Sequence, residues 1–180
     1  MRILRENCTG LVIDIQEKLM PVMANKENLI TNCIKLIEGL QLLKVPLAVT
    51  QQYTTGLGPT IGEISSLFSQ FSYHEKSSFS CMDESSYATY LQHSEKINVV
   101  ICGIESHVCV LQTALDLKEQ GYQPIVVADC VGSRNPEEKQ IALQRFALEG
   151  IRVSTTESLL FELTRSSQAP EFRAISKLIK

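Results

Sequence analysis

The sequence predicts an α/β fold, a six-stranded, mostly parallel, doubly wound sheet with helices on both faces, in a single domain spanning residues 1–180. Short apolar, β-branched runs alternate with helical periodicities from one end to the other, the pattern of a parallel sheet whose crossovers are helices. Most of these runs are continuously apolar rather than alternating, as strands buried on both faces must be. At 180 residues, 44% of them hydrophobic and 21% charged, the chain can bury one sizeable core but not two.

Strands are read at residues 11–15, 46–50, 71–75, 97–102, 124–129 and 151–155. The third is the least apolar and suits a sheet edge. Between the first two, Leu29, Cys33, Ile37 and Leu40 recur at helical spacing, so residues 25–44 should form an amphipathic helix. Tyr87, Tyr90 and Leu91 share a helical face after Asp83, a fitting N-cap. The helix after the fourth strand should stop at Gly121, which suits the left-handed position past a helix end. Asn135 and Pro136 open the next with a capping residue and a proline at the first helical position, and Gly150 closes it. Thr156 is expected to cap a short helix, and Pro170 to begin a last one whose Phe172, Ile175 and Ile179 share a face. That face lies beyond the last strand and is free to pack on a neighbour, so a homo-oligomer, dimer or tetramer, is expected. Residues 51–64, with three glycines and a proline, read as a long loop of the kind that carries function.

The net charge of -3 offers no pull toward phosphate backbones or anionic lipid, so neither a nucleic acid nor a membrane partner is expected. No stretch approaches the ~20 apolar residues that span a bilayer, and the first ten residues lack a secretory apolar run. The six cysteines are scattered with no CxxC pair, and Cys8, Cys33, Cys102 and Cys130 sit in apolar segments where a thiol behaves as a small hydrophobe. This usage suits a reducing, cytoplasmic setting. The run Gly56-Leu57-Gly58-Pro59 is not a dinucleotide fingerprint and no phosphate-binding loop occurs, so no cofactor is expected.

In sheets of this kind ligands bind outside the carboxyl ends of the strands, so polar residues there are the first candidates. Asp14 ends the first apolar run, as either a turn cap or a buried carboxylate that needs a cation. The fourth strand leads through Gly103-Ile104-Glu105-Ser106-His107-Val108 into Cys109 at a helix start. There the unpaired N–H groups and the helix dipole favour a thiolate and can receive an oxyanion. The other reading of Cys109 is one more buried cysteine. Lys76, after the third strand, is either a surface lysine or the cation that faces Asp14 and Cys109, lowering the carboxyl pKa and favouring the thiolate. Spacing does not choose between these. Glu105 either caps the helix or selects a cationic substrate, and Arg134 ties down its loop. His107 is two residues from Cys109, a spacing that does not share a helix face, and His74 and His93 have no partner at ligand spacing.

Taken in order, Asp14-x-Gln16, Lys76-Ser77-Ser78-Phe79-Ser80, Gly103-Ile104-Glu105-Ser106-His107-Val108-Cys109-Val110 and Asp129-Cys130-Val131-Gly132-Ser133-Arg134 resemble the isochorismatase-like hydrolases, which include the nicotinamidases. The resemblance implies a Rossmann-like hydrolase fold with Asp14 as general base and later acid, Lys76 as its electrostatic partner and Cys109 as nucleophile. It also implies a cis peptide between Ile104 and Glu105 that turns the N–H groups of Glu105 and Cys109 toward one oxyanion. Nicotinamidases carry metal-binding histidines near the second strand, whereas this chain has Gln16, Gln51, Gln52 and Tyr53, and amide side chains are poor transition-metal ligands. No metal is therefore expected. True isochorismatases cleave a vinyl ether without needing a thiol, so Cys109 points to amide or ester chemistry, with vinyl ether hydrolysis or an inactive binding protein as alternatives. A small, dry pocket walled by Gln16, Gln51, Gln52, Tyr53, Phe79 and Glu105 is expected for a small-molecule substrate.

Overall fold

The computed structural model of the protein describes residues 2–180. In chain order its elements are β1 (Cys8–Ile13), α1 (Lys26–Leu42), β2 (Leu47–Gln52), the single-turn helices α2 (Thr54–Leu57) and α3 (Gly62–Ser65), β3 (His74–Lys76), α4 (Ser85–Ser94), β4 (Asn98–Ile104), α5 (Cys109–Glu119), β5 (Gln123–Gly132), α6 (Pro136–Leu148), β6 (Arg152–Ser154), α7 (Thr156–Thr164) and α8 (Phe172–Ile179). The strands lie in the order β3-β2-β1-β4-β5-β6. Every pairing is parallel, so the sheet is wholly rather than mostly parallel. The chain lays β2 and β3 on one side of β1 and then returns to place β4 on the other. Strand order thus reverses between β1 and β4, and the crevice at their carboxyl ends is where such sheets bind ligands.

Alternation along β1 builds both halves of the core. Leu11 and Ile13 face Tyr87, Val110, Leu117 and Phe146, the apolar stripes of α4, α5 and α6. Val12 faces Leu36, Ile37, Leu40 and Leu160 of α1 and α7. Every residue of β1 and of β4 is buried, which accounts for their unbroken apolar character. Ile175 of α8 is fully buried, and α8 packs on α1 and α7 of its own chain. This removes the reason the sequence offered for a neighbour at that face. No helix among the described residues is long and apolar enough to cross a membrane.

Several boundaries differ from the sequence expectation. β1 begins at Cys8 and ends at Ile13, leaving Asp14 just past the strand. β3 is shorter and later than expected, because Phe71 packs edge-on against Phe68 at 5.8 Å instead of joining the sheet. It pairs only with β2 and is an edge, as its composition suggests. β4 and β5 run on to Ile104 and Gly132, because Ile101 pairs with Val126 while Gly103 pairs with Val131, and β5 bulges between the two registers before pairing resumes. Residues 51–64 are not one loop: Gln51 and Gln52 complete β2, α2 and α3 follow, and Thr60 bridges back to Gln16. Asp83 does not cap α4, because it lies in a 3-10 turn capped by Ser80, whose Oγ accepts from the Met82 N–H at 3.2 Å. Thr156 is the first residue of α7 rather than its cap, and its N–H donates to Asp129 Oδ1 at 2.9 Å. The Asn135 cap is as expected, its side chain accepting from the Glu137 N–H at 2.9 Å.

Gly103 decides how closely β1 and β4 approach at the site end. Its φ is +123°, and a Cβ there would lie 2.0 Å from the Ile13 carbonyl oxygen, a backbone atom that cannot move aside. Gly103→Ala should therefore lower the unfolding free energy by about 3 kcal/mol or more. The measurement is a urea titration, in which the midpoint should fall at unchanged slope. An unshifted midpoint would mean that the two strands part without cost.

Candidate active site

Asp14, Lys76 and Cys109 meet at the carboxyl edge of the sheet. Asp14 leaves β1 with a φ of 52°, a sharp turn that directs the chain away from the strand line. It is 1% exposed. Its Oδ1 accepts from Thr50 Oγ1 of β2 at 2.8 Å, and its Oδ2 lies 2.7 Å from Lys76 Nζ. The contact to Nζ is not aligned as a directed hydrogen bond, yet at that separation the two charges act on each other regardless of angle. Lys76 is the last residue of β3, two strand positions from β1, or roughly 10 Å at the usual inter-strand spacing. A long side chain is needed to cross β2. On the way Nζ donates to Gln52 Oε1 at 2.5 Å and to the carbonyls of Ser78 and Phe79 at 3.1 and 3.2 Å, and it ends 3.6 Å from Cys109 Sγ. The carbonyls are held in place from outside the site: Glu84 Oε1 accepts the N–H groups of Ser77 and Ser78 at 2.9 and 3.0 Å.

The electrostatics correct the sequence expectation. Burial pushes the Asp14 carboxyl above its ordinary range, against the downward pull of Lys76 and Thr50. Burial alone would lower the Lys76 pKa, but the charges of Asp14 and Cys109 outweigh it and hold the ammonium above its ordinary value. Burial, and after it the Asp14 charge, push the Cys109 thiol up to about 12 although Lys76 pulls it down. A helix start and one cation do not give a resting thiolate here. The thiol is protonated at neutral pH and feels the charge of a carboxyl whose basicity the same burial has raised.

Cys109 is the first residue of α5. The Ile104–Glu105 peptide is cis, and the Glu105 carbonyl accepts the N–H groups of Val108 and Val110 at 3.1 and 3.2 Å. The N–H groups of Glu105 and Cys109 take no partner among the described residues, which leaves one unpaired donor at each end of the loop.

The expected pocket wall is redistributed. Gln16 is fully buried, with Nε2 donating to the carbonyls of Gln52 and Gly58 at 2.9 and 2.7 Å and Oε1 accepting the Gln52 N–H at 2.7 Å. Gln51 is also fully buried, its Oε1 taking the Thr60 N–H and Oγ1 at 2.7 and 2.9 Å and its Nε2 donating to Thr54 Oγ1 at 2.8 Å. Both amides are buried and brace the segment that follows β2. Gln52 belongs to the site as a partner of Lys76. Tyr53 and Phe79 are exposed, at 59% and 55%, and do not line a dry interior. Glu105 neither caps α5 nor points a free carboxylate at a ligand: it binds the Arg134 N–H at 2.9 Å and the Arg134 Nε at 3.1 Å. Arg134 does tie down its loop.

The histidines stay outside the cluster. His107 Nδ1 is 3.0 Å from Ser133 Oγ, His93 Nδ1 contacts the Thr89 carbonyl at 2.9 Å, and His74 packs edge-on against Tyr87 with centroids 5.7 Å apart. All six cysteines are free and buried, and Cys109, at 8%, is the most exposed of them. Among the described residues no three His, Cys, Asp or Glu side chains are grouped to hold a metal ion. Sequence reasoning missed Thr50 and Glu84. Thr50, a hydroxyl at the end of an apolar strand, carried a usable signal; Glu84 carried none.

The Asp14–Lys76 pair makes a stability test with its own pH sign. Lys76→Met should cost about 3–5 kcal/mol by leaving a buried carboxylate unpaired, and adding Asp14→Asn should restore much of it. Because the folded-state pKa of Lys76 is raised, its contribution is fully present below the unfolded value of ~10.4 and is lost as pH climbs through the higher folded value. Wild type should therefore lose more stability than the double variant when denaturant melts are repeated at increasing pH above that point. Equal losses would show that the pair is not coupled to folding.

Residues 9–158 match the isochorismatase domain family. Isochorismatase domain-containing protein 2 of Danio rerio is 36% identical over 169 residues, covering 94% of this chain and 85% of the relative. A secreted isochorismatase effector, Isc1, of Phytophthora sojae is 34% identical over 183 residues, covering 99% of this chain and 87% of the relative. That relative is named as secreted, so the cytoplasmic setting read from the cysteines is not a general property of such chains. Among solved structures, MAR1 ribonuclease from Caenorhabditis elegans superposes with a TM-score of 0.93 at 33% identity, over 99% of this chain and 92% of that one. The YcaC protein of Escherichia coli, described as an octameric hydrolase of unknown specificity, superposes at 0.93 over 99% and 89% with 22% identity, a likeness of fold. In its sheet order, in the match over most of its length and in its relatives, the chain belongs to the isochorismatase family.

Proposed function

We propose that the protein is a hydrolase of small carbonyl compounds, amides or esters, that works by covalent catalysis at Cys109. The observation that supports this most strongly is the convergence of a carboxylate, an ammonium and a thiol around one nitrogen, with Asp14 at 2.7 Å and Cys109 at 3.6 Å from Lys76 Nζ. In the reaction, Asp14 takes the Cys109 proton as sulfur attacks the substrate carbonyl carbon, and the N–H groups of Glu105 and Cys109 receive the oxyanion. The tetrahedral adduct collapses, and the leaving amine or alkoxide takes the proton from Asp14. Water then attacks the thioester while Asp14 removes its proton. The second adduct expels sulfur, which regains the proton from Asp14 as the carboxylic acid leaves. Lys76 stays charged throughout and needs no part in proton transfer. Gln52, Tyr53 and Phe79 border the small-molecule site, and the cycle requires no cofactor.

p-Nitrophenyl acetate offers a direct test. Wild type should release p-nitrophenolate with an acetyl adduct on Cys109, while Cys109→Ala and Asp14→Asn should each lose nearly as much activity as the combined change, because the groups act as a unit. A Cys109→Ala protein that kept its turnover would instead favour vinyl ether or other thiol-independent chemistry. RNA belongs in the same screen because of the ribonuclease relative, and RNA cleavage that survives Cys109→Ala would count against the thiol reading. A chain inert toward every probe, with Cys109 no more reactive than a free cysteine, would favour the inactive binding protein.

The pH profile follows from the site's burial. Asp14 must be ionised to accept the proton, so activity should rise with pH along an acid limb placed above the ordinary aspartate value of ~3.9. With the Cys109 thiol near 12, no second rise should appear near the ~8.5 of a free cysteine, and the rate should stay level through that region. Initial rates on the ester from pH 4 to 10 decide it; an inflection near the free-thiol value would show that a pre-formed thiolate attacks.

A further inference from the structure

Three consecutive residues of the loop after β4 are fastened to three consecutive residues that end β5 and begin the loop beyond it. Glu105 is bound to Arg134, Ser106 to Gly132 and His107 to Ser133. The Ser106 N–H and Oγ both donate to the Gly132 carbonyl, at 2.8 and 3.0 Å, with Ser106 fully buried. His107 Nδ1 meets the Oγ of buried Ser133 at 3.0 Å. The Glu105 carboxylate accepts the Arg134 N–H at 2.9 Å and the Arg134 Nε at 3.1 and 3.2 Å. The side chains of 105, 106 and 107 are thus all engaged with the β5 end, while the N–H of Glu105 and that of Cys109 take no partner among the described residues.

We infer that Arg134 is a positioning residue for the oxyanion site: through its grip on the Glu105 carboxylate it sets the direction of the Glu105 N–H. The inference rests on the covalent reading given above, in which that N–H receives the developing charge. Glu105 holds both ends of the device, the backbone donor that the covalent reading assigns to the oxyanion and a carboxylate bound to Arg134. Fixing the carboxylate at two points limits rotation about the residue that carries the donor. The pair contributes little to folding, because the Arg134 side chain is 63% exposed against 13% for Glu105, and exposed pairs are weak. Its effect is on placement instead. A misplacement of about 1 Å in a catalytic group can cost on the order of a hundredfold in rate, and removing the guanidinium still leaves the Arg134 N–H on Glu105, so a smaller loss is expected.

Two probes of the same thiol on the intact chain separate placement from general damage. Acylation of Cys109 by p-nitrophenyl acetate builds an oxyanion at the Glu105 N–H, whereas alkylation by iodoacetamide displaces iodide from carbon and builds none. Arg134→Ala should slow acylation about tenfold, a fraction of the effect of losing an oxyanion donor outright. It should leave the alkylation rate unchanged. Arg134→Lys, which keeps the charge, should recover part of the acylation rate. Should Arg134→Ala not fold, Glu105→Gln carries the same test, since it retains an oxygen for the Arg134 N–H and loses the charged contact. Equal slowing of both probes, or of neither, overturns the positioning role. If Cys109→Ala turns over the ester at the wild-type rate, the covalent reading itself fails, and the inference with it.

Discussion

The contact between Asp14 and Lys76 is the constraint around which the rest of the site is arranged. Two opposite charges buried at 1% and 0% side-chain exposure would each be prohibitive alone, and together they hold only if the remaining protons and lone pairs are satisfied. The surroundings supply this from several elements. Thr50 binds the second carboxylate oxygen, Gln52 and the Ser78 and Phe79 carbonyls take up the ammonium, and Glu84 holds those carbonyls in place from outside. The fold fixes who can contribute, since Lys76 lies at the edge strand and must pass over β2 to reach β1. A sheet with a different strand order would not bring these ends together.

The second consequence of burial is chemical. Water is kept from the thiol and the carboxylate alike, so both are pushed toward their neutral forms, Cys109 to about 12 and Asp14 above the usual aspartate range. Each pKa unit separating donor from acceptor costs about 1.4 kcal/mol in proton transfer. Because one environment raises both, it strengthens the acceptor while weakening the donor. A carboxylate left in water beside the same buried thiol would be the poorer base.

Much of this was legible in the sequence, and what was not has identifiable causes. Continuous apolar runs placed the strands, and Asn135, Pro136, Gly121 and Gly150 marked helix ends, because these signals are local. Asp14, Lys76 and Cys109 stand at element ends that a doubly wound sheet gathers at one edge, so their meeting is already one of the alternatives the sequence offers. What was not legible depends on contacts across the sheet. Gln16 and Gln51 looked like pocket walls because they flank the site in sequence, but both are consumed in bracing the chain around Gly58 and Thr60. The carboxylate of Glu105 looked available to a substrate until the register of β4 and β5 brought it to Arg134. The resting state of Cys109 was misjudged for a related reason: a helix start and a cation are visible in sequence, but depth of burial is not, and here burial outweighs both.

The geometry also bears on why a lysine, rather than a second acid or a histidine, sits between the other two groups. Under the proposed chemistry the negative charge moves from Asp14, 2.7 Å from Nζ, to Cys109, 3.6 Å from Nζ. The ammonium therefore keeps an anionic neighbour before and after proton transfer, and no charge is left uncompensated in a low-dielectric site at either stage. Lys76 weakens Asp14 as a base, but it stabilises the thiolate that results, so the two effects offset each other across the step. A cation held this rigidly by three oxygens also has little reorganisation to undergo, which is the property that lets fixed charges act in catalysis without waiting on solvent. A histidine in the same place could lose its proton to Asp14 and leave the thiolate without a partner. An ammonium whose pKa is held up by its neighbours does not.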